Sequence, residues 1–169
     1  MRHMRRAVAM MAVVGAAAVA LAVTELSSGQ STSLSGTISY ASFRSQALKG
    51  VDHYSVYLPA GYATSTTRYP VVYYLHGLPA SATAYKGIQP IAQALEETSK
   101  QAIVVGVQGA RSADTDPEWL DWGPGRNWET ATAKELVNVV DTRYRTIANR
   151  SGRMLVGICL LYTSPSPRD

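Results

Sequence analysis

The chain has one cysteine, Cys159, one phenylalanine, Phe43, and three histidines, His3, His53 and His76. A single thiol excludes an intrachain disulfide, so cysteine usage says nothing about redox compartment. No histidine follows His76, and chemistry that draws its base from a late imidazole finds none here. Lys and Arg are scattered singly and form no basic stripe, which argues against a nucleic-acid partner. The formal charge of +4 belongs mainly to the amino terminus: between Val23 and Ile158, 12 Lys and Arg stand against 11 Asp and Glu. There is no internal repeat. What remains, 169 residues of ordinary apolar content, is enough for one domain with a true hydrophobic core.

The amino terminus carries Arg2, Arg5 and Arg6 ahead of an uncharged run from Ala7 to Val23. A basic segment followed by an apolar one has the layout of a secretory signal, and Ala20-Leu21-Ala22 supplies small residues for cleavage. Residues 1–22 are therefore read as a signal peptide and 23–35 as a polar linker, with export the expected localisation. An uncleaved membrane anchor is the alternative, since the run lies at the lower edge of bilayer-spanning length.

From Gly36 onward the pattern is that of an α/β domain. Thr37–Ser42 and Tyr54–Leu58 alternate apolar and polar residues as half-buried strands do, and together suggest an antiparallel opening pair. Tyr69–Leu75, Ala102–Val107 and Met154–Ile158 are continuous apolar runs, the signature of parallel strands buried on both faces. Ile88, Ile91, Ala92 and Leu95 recur at helical spacing, with Pro90 tolerable only in a first turn; Ala133, Leu136, Val137, Val140 and Tyr144 repeat it. Strands alternating with amphipathic helices predict a mostly parallel sheet, and its chemistry gathers at the carboxyl ends of the strands.

Three places fall there. After Leu75 the chain turns at His76-Gly77, where glycine lets the next amide, that of Leu78, leave the sheet and face a cavity; an amide so held donates to a developing oxyanion. A plain strand-to-helix turn is the simpler reading of the same residues. Gly157-Ile158 begins a nucleophile elbow of the form G-x-S-x-G, but Cys159, Leu160 and Leu161 follow, with no serine and a bulky side chain where the elbow needs glycine. The third place is the segment 109–127, which holds Trp119 and Trp122, with Trp128 just beyond. Its indoles suit an apolar or sugar-stacking cleft wall, or equally the pinning of a long loop. Asp114 and Asp116 lack the ligand order of a calcium loop and are expected to be solvated rim charges. No metal or cofactor is expected. Tyr73 and Tyr74 are expected in the core, on opposite faces of one strand, and His53 on the surface.

Taken together, VYLPAGY (56–62), RYPVVYYLHGLPAS (68–81), NWETATAKELVNVVDTRYRT (127–146) and RSGRMLVGI (150–158) resemble the front half of the α/β-hydrolase family. Within it the likeness is to the branch containing S-formylglutathione hydrolase (esterase D), feruloyl esterases and the antigen 85 mycolyltransferases. The resemblance covers 36–158 and implies a serine esterase or acyltransferase working through an acyl-enzyme on small-molecule, polysaccharide-linked or lipid esters. It matches Leu78 to the first oxyanion donor, with the residue after the serine supplying the second. His76, Gly77, Trp119 and Trp122 are candidates for the substrate cleft.

The departure from the family begins at Cys159. CLLYTSPSPRD (159–169) resembles the in-frame translation of a transposase-type sequencing adapter, which implies that these residues are no part of the natural protein. The expectation is a truncated hydrolase domain, inactive as written because serine, acid and histidine are missing, with one apolar flank of its sheet uncovered. A non-catalytic binding module on the same scaffold is the alternative, and the discriminating residue is the natural one two positions after Gly157.

Overall fold

The computed structural model describes residues 33–114, 117 and 119–158. The leader, most of the linker, Asp116, Glu118 and the segment from Cys159 onward lie outside the described residues. Among those residues no helix is long and apolar enough to cross a membrane.

The five strands are β1 (Thr37–Ser45), β2 (Gly50–Leu58), β3 (Val71–Leu75), β4 (Ile103–Val107) and β5 (Arg153–Gly157), in the spatial order β1-β2-β4-β3-β5. The β1–β2 hairpin is antiparallel and β2 is antiparallel to β4, whereas β3 runs parallel to both β4 and β5. The sheet is thus mixed, with the continuously apolar runs parallel and the opening pair antiparallel, but β2 is not the half-buried strand its alternation suggested: it lies inside the sheet, and Tyr54, Ser55, Val56 and Tyr57 are all buried because layers cover both of its faces. Because β2 runs against β4, the hairpin tip between Ser45 and Gly50 lies at the same edge as the carboxyl ends of the three parallel strands.

Helices cover both faces. Helix α1 (Gln89–Glu97) starts with proline in its first turn, where the missing N–H costs nothing. It buries Ala92, beside Ile88, against Tyr57, Val72, Tyr74 and Val104. On the other face α2 (Trp128–Thr130), a π-helical segment (Ala131–Leu136) and α3 (Val137–Arg143) follow one another without a break in helical backbone. This rod packs Leu136 and Val140 on Tyr54, Tyr73, Ile103, Val105 and Val107. Tyr73 and Tyr74 accordingly face opposite layers, and His53 is exposed.

Two details depart from the periodicity. Ala133 is exposed, because the wider π turns shift the helical register and bring Ala131 and Trp128, not Ala133, onto the buried stripe. The second departure is at β5, expected to be buried on both faces. It pairs only with β3 among the described residues, and Met154 and Leu155 are 61% and 63% exposed. A continuously apolar run reports what a strand is built to bury, not whether a covering layer is present.

Candidate active site

The turn after β3 is built around a buried imidazole. His76 is 4% exposed, its Nε2 lies 2.7 Å from the Gln108 carbonyl oxygen, and its Nδ1 lies 2.9 Å from that of Gly77. A carbonyl only accepts, so a neutral ring, which has one N–H, donates to one of the two. The ring is thereby a brace between the carboxyl ends of β3 and β4 and is not poised to take a proton from a nucleophile.

Gln108 completes the brace. Its Oε1 accepts from the His53 N–H at 2.9 Å and its Nε2 donates to the Ala82 carbonyl at 3.3 Å, so one buried side chain joins β2, β4 and the segment after the His76 turn. Gly109 follows at φ +68°, and a Cβ there would stand 2.2 Å from the Trp119 ring and 2.7 Å from His76 Nε2. Only glycine allows both the left-handed backbone and that approach. Sequence reasoning marked Gly109 as the start of the loop after β4 but did not single out Gln108, although a polar residue directly after a buried apolar run was a legible signal.

Gly77 and Leu78 continue the turn. The Leu78 side chain is 43% exposed, and its N–H donates to no group among the described residues. The other wall comes from β5: Gly157 pairs with Leu75, and the Ile158 N–H donates to the Leu75 carbonyl at 3.3 Å. The chain therefore leaves β5 alongside the His76-Gly77-Leu78 turn.

The three indoles do three different things. Trp119 packs on His76 with ring centroids 5.1 Å apart and lines a cleft of about 550 Å³ together with Tyr73, Leu75, Thr132, Val137 and Leu155. This cleft runs away from the carboxyl edge down the open face of β5, so only its Leu75–Trp119 end borders the turn. Trp122 is 53% exposed and donates from Nε1 to the Pro117 carbonyl at 2.7 Å, pinning its own loop. Trp128 is fully buried beside Leu48 and Ala131.

The loop is also held by charge. Arg111 binds Asp114 through Nε and Nη2, reaches the Leu48 carbonyl on the hairpin at 3.1 Å, and reaches the Gly125 carbonyl at 2.8 Å. The Asp114 side chain is only 5% exposed, so it is not the solvated rim charge its loop setting suggested. Although burial opposes ionisation, the bonds from Arg111 hold its carboxyl below the usual range. Asp121 accepts from the Thr130 N–H and hydroxyl, and so fastens the loop to α2. Among the described residues no three His, Cys, Asp or Glu gather where they could hold a metal ion.

A mixed sheet in this strand order, helices on both faces and a His-Gly turn beside the end of β5 define an α/β-hydrolase. The chain belongs to the esterase family, described as "Putative esterase", whose pattern it matches over residues 45–160. Among solved structures it is similar to an S-formylglutathione hydrolase from Agrobacterium tumefaciens, at 20% identity and TM-score 0.60, covering 76% of this chain and 51% of that one. It is also similar to a CE1 ferulic acid esterase from Anaeromyces mucronatus, at 21% identity and TM-score 0.56, covering 74% and 50%. A fluorophosphonate-binding serine hydrolase from Staphylococcus aureus matches at 15% identity and TM-score 0.59, covering 72% and 47%. The chain thus spans about half the length of these structures. No curated protein matches it.

Proposed function

We propose that this chain is the oxyanion-bearing half of an exported serine hydrolase that cleaves or transfers carboxylic esters. The observation that carries the reading is the convergence of the Leu78 amide turn, braced by His76 and Gln108, with the end of β5 at Gly157-Ile158. A serine at the position now taken by Cys159 would attack the ester carbonyl, and the alkoxy group would leave as an acyl-enzyme forms. The Leu78 N–H would donate to the carbonyl oxygen as it gains charge, and the amide following the serine would be the second donor. Trp119 would supply the apolar wall nearest the reacting carbon. Export is supported by the basic and apolar residues of 1–22.

The 169-residue chain itself has no esterase activity in this reading. It has Cys159-Leu160-Leu161 in place of the elbow, and its one imidazole at the site is committed to Gln108. Loss of a triad member alone costs several powers of ten in rate. A binding module on the same scaffold is the competing reading.

The test is to sequence the source gene through the codon for position 159, then assay the uninterrupted product on p-nitrophenyl acetate and on methyl ferulate. Serine at that position, with turnover abolished by changing it to alanine, is the expected result. A product with alanine or glycine there and no turnover would overturn the hydrolase reading in favour of binding.

A further inference from the structure

The two edges of the sheet are finished differently. At one edge, β1 sets Ser39, Ser42 and Arg44 among its residues, and polar and charged groups on an edge discourage pairing with another chain. At the other, β5 pairs with β3 alone among the described residues. It has neither lysine nor proline, and its register against β3 runs from Arg153 to Gly157 without a bulge. Its one charged side chain, that of Arg153, is engaged in an ion pair with Asp141. Met154 and Leu155 are more than half exposed, as is Ile158 just beyond the strand.

The direction of the free edge groups follows from one hydrogen bond. The Ile158 N–H donates to the Leu75 carbonyl on β3, and successive residues of a strand turn their peptide groups to alternate sides. Val156 and Met154 therefore face β3, and the N–H and C=O groups of Arg153, Leu155 and Gly157 point out of the sheet. The side chains alternate between its faces. Arg153 and Leu155 lie on the face of Tyr73 and line the cleft of about 550 Å³. Met154 and Val156 lie on the face of Val72 and Tyr74, which α1 covers.

We propose that β5 is the contact between two copies of this chain, paired antiparallel about a twofold axis through Leu155. In that register Leu155 faces Leu155 of the second copy, Arg153 faces its Gly157, and Met154 faces its Val156. The outward peptide groups of the facing odd-numbered residues bond one another across the axis. Room and charge favour this register. Gly157 has no side chain to crowd the Arg153 opposite, whereas a twofold through Arg153 sets two guanidinium groups face to face, and any other antiparallel register loses a pair of facing edge residues. Because the same strand serves on both sides, the contact closes on itself and association stops at the dimer. Pairing makes one continuous sheet and covers Met154 and Leu155, which nothing among the described residues covers in the single chain. The strand edge and these side chains bury on the order of 1,000 Å² over both copies, the weak end of specific association. This inference concerns the 169-residue chain and stands whether or not the esterase reading does.

Sedimentation velocity of the full chain from about 5 to about 500 μM reads the association, a span suited to a weak interface of this size. The expected result is a monomer–dimer equilibrium that is lost in Leu155→Lys, which places two ammonium groups together at the axis. In a sample mixing ¹³C-labelled and unlabelled chain, isotope-filtered NMR should show methyl contacts between Met154 of one copy and Val156 of the other. A monomer at every concentration, association undiminished by Leu155→Lys, or a dimer without the Met154–Val156 contact overturns the proposal. A monomer whose Leu155 and Gly157 amides are protected from exchange also overturns it, and assigns the edge to another segment of the same chain. Should Leu155→Lys fail to fold, the filtered contacts in the unaltered chain decide alone.

Discussion

His76 Nε2 lies 2.7 Å from the carbonyl oxygen of Gln108, a contact that ties the ends of two neighbouring parallel strands together at the edge where α/β sheets place their chemistry. The imidazole of the His-Gly turn is therefore a structural brace, and the turn it supports is presented by a rigid frame. Four consequences can be measured.

Gly109→Ala places a methyl group 2.2 Å from the Trp119 ring at a φ of +68°. Both the left-handed backbone and the contact oppose it, and a loss of about 2–4 kcal/mol is expected. Urea unfolding followed by far-UV circular dichroism measures it; a change under about 0.5 kcal/mol, the usual size for an exposed position, would show that Trp119 yields freely.

Glu96 accepts from the Ser35 and Gly36 N–H groups and from the Tyr57 hydroxyl, fastening the segment before β1 to the end of α1. The two backbone bonds lead in lowering its carboxyl to about 2 from the ordinary 4.5. A lowered carboxyl contributes stability that is present above 4.5 and lost as pH falls towards 2. Amide protection factors at Ser35 and Gly36, relative to the intrinsic rate at each pH, should fall over that interval and should already be low in Glu96→Gln at neutral pH.

Asp52 acts with the opposite sign. Its carboxyl sits at about 7 in the fold against an ordinary 3.8, so its contribution is full below 3.8, declines as pH rises to about 7, and is flat above. The displacement corresponds to about 4 kcal/mol. Asp52→Asn should remove the alkaline limb in thermal melts, and an unchanged limb would assign it to another group.

Leu78→Pro deletes the first of the two backbone donors proposed for the oxyanion. In an uninterrupted product with serine at position 159 it should lower kcat by about 10²- to 10³-fold with KM little altered. A loss confined to KM would mean that the Leu78 amide binds substrate without assisting the reaction.

Much of the scaffold was legible before any coordinates. Continuous apolar runs placed β3, β4 and β5, because burial on both faces of a sheet imposes that pattern directly; alternation located the hairpin strands but not the burial of both faces of β2. The His76-Gly77-Leu78 turn and the approach to Gly157 were legible for a similar reason: glycine and a strand end are local features.

Partnership was not legible. Nothing in the order of residues couples His76 to Gln108 or Glu135 to the hairpin tip. The His76–Gln108 and Glu135–Ser45 contacts span 32 and 90 positions and exist only once β3 is laid beside β4 and the helical rod is set on the sheet. Asp114 illustrates the difference: its loop composition suggested a solvated charge, whereas tertiary packing brings Arg111 and Arg126 to it and removes it from water. The sequence by itself determined which segments become strands and helices and where the chain turns, since those follow from local backbone preference and side-chain period. Only the tertiary structure decided which polar groups are buried, which are paired and which, like Asp52, are left without a donor, since solvation and pairing depend on neighbours far apart in the chain.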